Sequence, residues 1–219
     1  MPPTSTPYTP PPDDDLHIHY EDRHLIIVEK PHGLLSVPGR GVDKADCLEA
    51  RLRRTQPGAL TVHRLDMETS GLVVFALNRE IQKSLSRLFE ARHIHKEYEA
   101  VVAGDIHGEA GLIDLPLAPD WPNRPKQKTD ATGKPAETGW RVTHRTPNAT
   151  RVSLVPTTGR THQLRVHLAN IGHPILGDSL YGSEESRSSA TRLLLHARRL
   201  RFVHPAGEEM IDVASPVPF

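Results

Sequence analysis

The sequence predicts an α+β fold built on a mixed, largely antiparallel sheet flanked by helices and loops. Two observations favour this class. Short apolar or alternating segments, separated by turns rich in Gly and Pro, recur along most of the 219 residues, which is typical of strands joined in sequence. Helical spacing is confined to three stretches, over residues 46–54, 79–91 and 161–171, so the helices are too few for an all-helical domain.

The first fifteen residues are predicted to be a disordered tail, because six prolines fall among the first twelve positions and three aspartates follow. Residues 16–219 are expected to form one domain. The chain has no run of eighteen apolar residues and no basic stretch followed by an apolar one, so we expect neither a membrane span nor secretion. The single cysteine, Cys47, cannot form an intramolecular disulfide, and a reducing cytoplasm fits best.

The elements follow in order along the chain. Residues 25–30 read as a strand that Pro31 and Gly33 end, and Asp46 is expected to cap a short helix that runs to Arg54. A strand over 72–77 and a helix over 79–91 come next, the helix with an apolar stripe that faces the core. Later strands are predicted over residues 96–103, 138–145, 150–156, 193–195, 200–203 and 210–213. Residues 104–135 are expected to form turns and an extended loop, and residues 161–171 a helix that stops at Gly172.

Charge is balanced overall, with 27 cations and 27 acids, but unevenly distributed. Residues 1–50 hold four cations against nine acids, and residues 140–205 hold ten arginines against three acids. This asymmetry allows one basic face for a nucleic acid, although a charge run is more often a solvated surface.

The most informative stretch is HRLDMETSGL, residues 63–72, which runs into the apolar segment Val73–Ala76. An Asp flanked by polar residues where a loop feeds a strand is typical of binding and catalytic loops. A helix cap or turn is the alternative role for such an Asp. Two further blocks follow about a hundred residues later, GRTHQLRVH over 159–167 and GHPILGD over 172–178.

These three ordered blocks resemble the RluA family of pseudouridine synthases, whose signature is HRLD-x-x-TSGL. The resemblance extends from about residue 25 to residue 213 and implies the pseudouridine synthase fold. Residues 120–128, DWPNRPKQK, resemble an insert of the family's dual-specificity member, which acts on 23S rRNA and tRNA. Only about two dozen residues precede the strand, beginning at Leu25, that leads into the family's K-P-x-G-L pattern, so we expect no S4 RNA-binding domain.

The resemblance implies an isomerase that breaks the bond from ribose C1′ to base N1, turns the base and rejoins it through C5. No atoms enter or leave, so no cofactor is expected, and no phosphate-binding glycine motif occurs in the sequence. The chemistry needs one ionised carboxylate, which the resemblance assigns to Asp66. The alternatives are a noncatalytic RNA-binding or RNA-remodelling protein on this fold, a nucleoside hydrolase, and a synthase that acts on only one of the two RNAs.

Four further substrate contacts are implied by the same motifs. Arg165 is expected to pair with Asp66 and keep it ionised. Tyr98 is expected to lie on the uracil ring, and Leu195 to supply an apolar wall that excludes water. Arg64 is expected to hold the space left when the uridine is turned out of its stack. His63 is assigned no chemistry.

Lower in rank are residues expected to contact RNA outside the reacting base. Trp121, Arg124, Lys126 and Lys128 interleave an aromatic ring with cations, which suits an RNA backbone and an unstacked base. An ordered surface loop with Trp121 pinned to the core is an equal alternative. Arg160, in the arginine-rich block, is the remaining expected contact.

Fourteen histidines raise the question of a metal site. The closest sets are His17 with His19, His93 with His95, and His162 with His167, yet no paired cysteines or H-E-x-x-H pattern accompanies them. We therefore expect no metal, no cofactor, no DNA and no membrane partner. We expect the protein to be a monomer and its partner to be RNA.

Overall fold

The computed structural model describes residues 8–219. The strands are β1 (Ile18–Glu21), β2 (Leu25–Lys30), β3 (Leu60–Thr61), β4 (Ser70–Ala76), β5 (His95–Ala103), β6 (Ala110–Asp114), β7 (Leu117–Pro119), β8 (Gln127–Thr129), β9 (Glu137–Thr146), β10 (Ala149–Pro156), β11 (Leu195–Val203) and β12 (Met210–Ala214). The α-helices are α1 (Leu48–Leu52), α2 (Arg79–Glu90), α3 (Gln163–Asn170) and α4 (Glu184–Ser188). No helix in this part of the chain has the length and apolarity that a membrane crossing requires.

One sheet organises the molecule, in the strand order β1-β2-β4-β11-β5-β10-β9-β6. Strand β3 adds to β4, β12 adds to β11, and β7 and β8 form a separate hairpin. Every neighbouring pair is antiparallel except β4 and β11, which run parallel where Ser70 faces His196 and Gly71 faces Ala197. The predicted mixed, largely antiparallel sheet is confirmed.

The apolar run in β4 is explained by cover on both faces of the sheet. Leu72 and Val74 pack into one cluster with α2, whereas Val73 and Phe75 pack into another with α1. Because successive strand residues point to opposite faces, all seven residues of β4 are buried. A third cluster joins α3 to β5, β10 and β11, and it lies at the centre of the sheet.

The periodic elements were predicted well and the irregular ones less well. Strand 25–30 and helix 79–91 are confirmed as β2 and α2. Asp46 does not cap α1: Cys47 is the cap and its Sγ accepts a hydrogen bond from Ala50 N–H at 3.4 Å. The Asp46 carboxylate instead accepts two bonds from the guanidinium of Arg51, at 2.8 and 2.7 Å, which competes with capping.

Two predicted boundaries also change. The separate strands expected over 193–195 and 200–203 are one strand, β11, with an irregularity between Ala197 and Arg199 that interrupts the alternation. The expected loop over 104–135 contains β6, β7 and β8, whose short lengths give too few residues for a pattern to be visible.

Part of the predicted disordered tail takes a defined path. Residues 1–7 lie outside the described residues, whereas residues 8–15 run along α1. The Tyr8 hydroxyl donates to the Asp46 carbonyl at 3.0 Å, and Arg51 donates to the carbonyls of Pro11 and Pro12 at 2.8 and 2.9 Å. Proline carbonyls remain acceptors even though the ring removes the N–H donor, so a buried arginine fixes this segment.

Candidate active site

Asp66 lies on the loop between β3 and β4, and two buried side chains fix the backbone on either side of it. Ser36 Oγ donates to the Leu65 carbonyl at 2.7 Å and accepts the Leu65 N–H at 3.0 Å. Lys30 Nζ donates to the Met67 carbonyl at 3.0 Å. With both flanking residues held, the Asp66 carboxylate has a defined position before any substrate binds.

Lys30 is fully buried and donates to two further carbonyls, those of Pro31 at 2.9 Å and Leu34 at 2.7 Å. Burial lowers the pKa of Lys30 to about 7, and the negative charge of Asp66 opposes this effect. Three carbonyl acceptors match the three protons of an ammonium group. The geometry is therefore that of the charged form, which places a cation behind the Asp66 loop.

Gly71 is required where β4 passes β11. Its φ is +117°, and a Cβ built there would lie 2.6 Å from the backbone nitrogen of Ala197, closer than real Cβ contacts. Only glycine adopts this conformation readily and leaves room for the neighbouring strand. The glycine of the TSGL pattern thus allows the parallel pairing that brings the Asp66 loop beside β11.

A cavity of about 100 Å³ opens beside Asp66. The residues predicted as catalytic or substrate-binding all line it, namely Asp66, Arg64, Tyr98, Arg165 and Leu195. They come from the β3–β4 loop, β5, α3 and β11, up to 131 positions apart in the chain (from residue 64 to residue 195). The fold therefore brings the predicted set together in one place.

Tyr98 and Leu195 lie in the apolar part of the cavity, which Leu65 and Leu164 also line. Leu195 is 3% exposed and belongs to the core cluster under α3, and Tyr98 packs against two of the core clusters. Burial and the charge of Asp66 raise the pKa of Tyr98. The phenol is therefore neutral and keeps its proton at physiological pH.

Arg165 does not pair with Asp66 in this structure. Its guanidinium contacts Asp178, with Nε to Oδ2 at 2.8 Å and Nη2 to Oδ1 at 2.6 Å, and Nη2 also reaches Glu68 Oε2 at 2.7 Å. Among the described residues it makes no ion pair with Asp66 within 4.0 Å. The physical reason is that Asp178 is completely buried, and a buried carboxylate needs a partner more than a half-exposed one does.

Arg165 reaches the Asp66 loop through Glu68 and not through Asp66 itself. Glu68 lies two residues after Asp66 and also accepts a bond from Ser179 Oγ at 2.8 Å. Arg165 thus ties the Asp66 loop to α3 and to the segment after it.

Sequence reasoning did not find the group that does approach Asp66. His162 Nε2 lies 3.9 Å from Asp66 Oδ1, and His162 lines the same cavity. Its sequence signal is its place in the GRTHQLRVH block, which suggests His162 only as a possible metal ligand. Lys30 in K-P-x-G-L and Asp178 in GHPILGD carried similar signals, whereas nothing in the sequence marked Ser36.

A second cleft of about 540 Å³ adjoins the cavity and shares Arg64, Lys96, Tyr98 and Arg160 with it. Arg64 is exposed at the border between the two. The cations of this cleft are Arg64, Arg92, Lys96 and Arg160. None of them forms an ion pair among residues 8–219. Burial lowers the pKa of Lys96 to about 8. Unneutralised cations in a cleft attract anions such as phosphates.

His63, which lines the second cleft, has a structural position. Its Nε2 accepts a hydrogen bond from Val74 N–H at 3.1 Å, and its ring lies against Phe89 with 4.6 Å between centroids. Burial lowers its pKa to about 3, so the ring is neutral. This agrees with assigning it no chemistry.

The insert, residues 120–128, connects β7 to β8 of the hairpin and includes the first two residues of β8. Trp121 is 64% exposed, so the alternative that pins it to the core is wrong. The Arg124 guanidinium lies 3.8 Å from the centroid of the Trp121 ring, and Lys128 pairs with Asp130 at 3.0 Å. An exposed ring with a cation on one face keeps its other face available, and RNA contact by these residues, Lys126 included, stays a prediction.

The arginine-rich segment is largely neutralised. Of its ten arginines, those at 145, 151, 165, 198, 199 and 201 form ion pairs with acids of the described chain. Most of these acids come from other segments, such as Asp105 and Glu99. The charge run therefore serves mainly to join strands.

Two groups of side chains have the donors to hold a metal ion, and neither lines the cavity. One is His17, His19 and Glu29, and the other is Asp22, His204 and Glu209, found among residues 8–219. In each group a histidine already bonds a carboxylate, His19 to Glu29 and His204 to Asp22, both at 2.9 Å. Neither group includes Asp66.

Comparison with known proteins gives a consistent result. Residues 24–170 match the model of the family described as RNA pseudouridylate synthase. The chain is 49% identical to the dual-specificity RNA pseudouridine synthase RluA of Escherichia coli K12, over 97% of this chain and 98% of that one. The enzyme of the same name from Vibrio cholerae is 46% identical over 98% of this chain and 88% of that one. Among solved structures, human RNA pseudouridylate synthase domain containing 1 superposes with a TM-score of 0.81 at 32% identity, covering 96% of this chain and 87% of that one.

Proposed function

This chain belongs to the RNA pseudouridylate synthase family and is an isomerase that acts on RNA, and on that premise we propose its substrates and its catalytic residues. We propose that it converts uridines in stem-loops of both 23S rRNA and tRNA to pseudouridine, with Asp66 as the catalytic carboxylate. The observation that carries the assignment is that Asp66 opens onto a cavity lined by the four other residues its motifs single out.

The roles we propose follow from the geometry. Asp66 is held by its flanking backbone and lacks an ion-pair partner closer than His162 among residues 8–219, so it is available to act on the ribose or the base. Tyr98 lies against the uracil, and Leu195 excludes water from the cleaved sugar. Arg165 positions the Asp66 loop through Glu68 and does not neutralise Asp66 itself.

The RNA path we propose runs from the cavity into the second cleft. Arg64 borders both and is placed to hold the gap left by the extruded uridine, since extrusion costs of order a few kcal/mol. Arg160 in the cleft meets phosphates. Trp121 and Arg124 of the insert offer a stacking face to an unpaired base, with Lys126 and Lys128 beside them.

Dual specificity is supported by near-complete coverage of relatives whose name states it, together with the DWPNRPKQK insert. We further propose one catalytic domain over residues 16–219, acting as a monomer in the cytoplasm, where its RNA substrates are found. Sedimentation of the free protein and of its RNA complex tests the monomer.

The test is tritium release from RNA that carries 5-tritiated uridine, since joining C5 to the ribose expels the tritium. An anticodon stem-loop and a 23S rRNA fragment are compared for the wild type, Asp66→Asn and Asp14→Asn. Asp14 is exposed and does not line the cavity, so its variant controls for a generic loss of charge. We expect release from both RNAs with the wild type and the control, and none with Asp66→Asn.

Other outcomes separate the alternatives. Binding without release by the wild type would favour the noncatalytic RNA-binding protein. Free uracil among the products would favour a hydrolase. Release from one RNA alone would leave the synthase assignment in place and refute dual specificity.

A further inference from the structure

His162 has a backbone conformation that few residues adopt. Its φ is +55°, and within residues 8–219 the only other non-glycine with positive φ is Arg92. Such a conformation is disfavoured for a residue with a Cβ and persists where surrounding contacts enforce it. At His162, which precedes α3, it places Nε2 3.9 Å from Asp66 Oδ1.

Tyr181 is the contact that holds the His162 ring. His162 Nδ1 lies 2.7 Å from the Tyr181 hydroxyl oxygen, and the rings meet edge to face with centroids 5.6 Å apart. The Arg165 guanidinium lies 5.5 Å from the Tyr181 ring centroid. Tyr181 therefore fixes one side of the imidazole while Asp66 faces the other.

The same hydroxyl is bound by the insert. The backbone N–H of Gln127, the first residue of β8, donates to the Tyr181 oxygen at 2.8 Å. Since the hydroxyl oxygen already accepts from Gln127, its own proton is available to His162 Nδ1, and this assignment puts the ring proton on Nε2, toward Asp66. Burial lowers the pKa of His162, although Asp66 acts in the opposite direction, so the ring is neutral, and this tautomer satisfies both His162 Nδ1 and the Tyr181 hydroxyl.

We propose that His162 is a positioning residue for Asp66, that the Tyr181 hydroxyl orients it, and that the insert fixes this hydroxyl through Gln127. The insert thereby controls the orientation of the catalytic carboxylate from the far side of the cavity. This inference rests on the proposed function, because it takes Asp66 as the group that reacts.

The distance of 3.9 Å is longer than a hydrogen bond, and contacts of this kind often shorten once substrate is bound. Arg165 does not compete with His162 for the Asp66 carboxylate, because the Arg165 guanidinium is already paired with Asp178 and Glu68. RNA seated on the insert would hold β8, and through Tyr181 it would bring His162 onto Asp66.

The first test is Tyr181→Phe, which removes the hydroxyl and keeps the ring. Single-turnover pseudouridine formation is measured at saturating RNA, alongside the dissociation constant of the RNA. We expect the rate to fall about 10- to 100-fold, since misplacing a reacting group by 1 Å can cost this much, with the dissociation constant changed less than about twofold. Tyr20→Phe is the matched control, because it removes the hydroxyl of a β1 tyrosine that donates to Asp22, just after that strand, at 3.0 Å.

Two substitutions of His162 separate positioning from a structural role. Asn tolerates the left-handed backbone but is too short to reach Asp66, so His162→Asn should slow the reaction as Tyr181→Phe does. Gln carries an amide N–H close to the position of Nε2, so His162→Gln should recover part of the rate. The double variant of Tyr181→Phe and His162→Asn should be no slower than the slower single variant, because both break one chain.

The insert is tested by Trp121→Ala in both backgrounds. If β8 acts through Tyr181, Trp121→Ala slows the saturated rate in the wild type and has no effect in Tyr181→Phe. Folding of each variant is checked by its urea midpoint. If Tyr181 is needed for folding, the two His162 variants decide the question alone.

The proposal is overturned if folded Tyr181→Phe reacts at the rate of Tyr20→Phe, or if His162→Gln is as slow as His162→Asn. A wild type that forms no pseudouridine on any RNA would instead refute the proposed function, which is a separate result.

Discussion

The pairing of Arg165 with Asp178 predicts a large loss of stability in Arg165→Met. Asp178 has no exposed surface, so the substitution leaves a buried carboxylate without its cation. Breaking a buried pair by removing one partner costs about 3–5 kcal/mol. The N–H groups of Leu180 and Tyr181 still donate to Asp178, at 2.9 and 3.0 Å, which favours the lower end, about 3 kcal/mol.

The matched control is Arg199→Met. Arg199 also makes two bonds to one carboxylate, with both distances to Asp212 at 2.7 Å, but the two side chains are 41% and 32% exposed. Exposed pairs contribute about 0–1 kcal/mol. The bidentate geometry is the same in the two pairs, so the difference in cost follows from burial, together with the extra bond from Arg165 to Glu68.

The assay is urea unfolding of the wild type, Arg165→Met, Asp178→Asn, the double variant and Arg199→Met. In the double variant the buried charge is gone, so we expect it to be more stable than Arg165→Met, with a coupling of about 2 kcal/mol or more. If Arg165→Met costs no more than Arg199→Met, or if the double variant is simply additive, the buried pair does not have the role described here.

Three further predictions concern the loop, pH and the insert. Ser36→Ala leaves the N–H and the carbonyl of Leu65 without their partner, so the free energy of unfolding should fall by about 2–4 kcal/mol in urea titration, and no change would contradict the loop geometry. Burial lowers the pKa of His63 to about 3 and that of His196 to about 4. Between these values and the pKa of about 6.5 of a histidine in the unfolded chain, the unfolded protein binds more protons than the folded one, so each histidine should cost about 2 kcal/mol of stability as pH falls from 7 to 5. Unfolding curves that match at the two pH values would refute this. Trp121→Ala should weaken RNA binding by about 1–3 kcal/mol in filter binding, whereas unchanged affinity would remove the insert from the RNA path.

How far the sequence predicts the fold depends on how local each pattern is. Helix α2 and strand β2 were located almost to the residue, because their apolar spacing is complete within one segment. The start of α1 was shifted because Asp46 and Cys47 both offer a side-chain acceptor, and the choice depends on where Arg51 lies. Strand β11 was divided because its irregularity breaks the alternation that a pattern relies on.

The site shows the same division. The motifs predicted which residues line the cavity, but not which charges pair within it. The motifs offer three carboxylates as partners for Arg165. It pairs with Asp178 and Glu68 and not with Asp66, and this preference depends on burial, which no motif records. Ser36 was missed for the same reason, since a serine becomes significant only when its hydroxyl meets the Leu65 backbone.

The distribution of charge shows why net charge along the chain is a poor guide to the RNA face. Six of the ten arginines in residues 140–205 form ion pairs within the protein. The cleft beside the cavity instead draws Arg64, Arg92, Lys96 and Arg160 from separate places in the chain. A neutral protein can hold phosphates in this way, because affinity depends on the unpaired cations that converge on one groove and not on the sum over the surface.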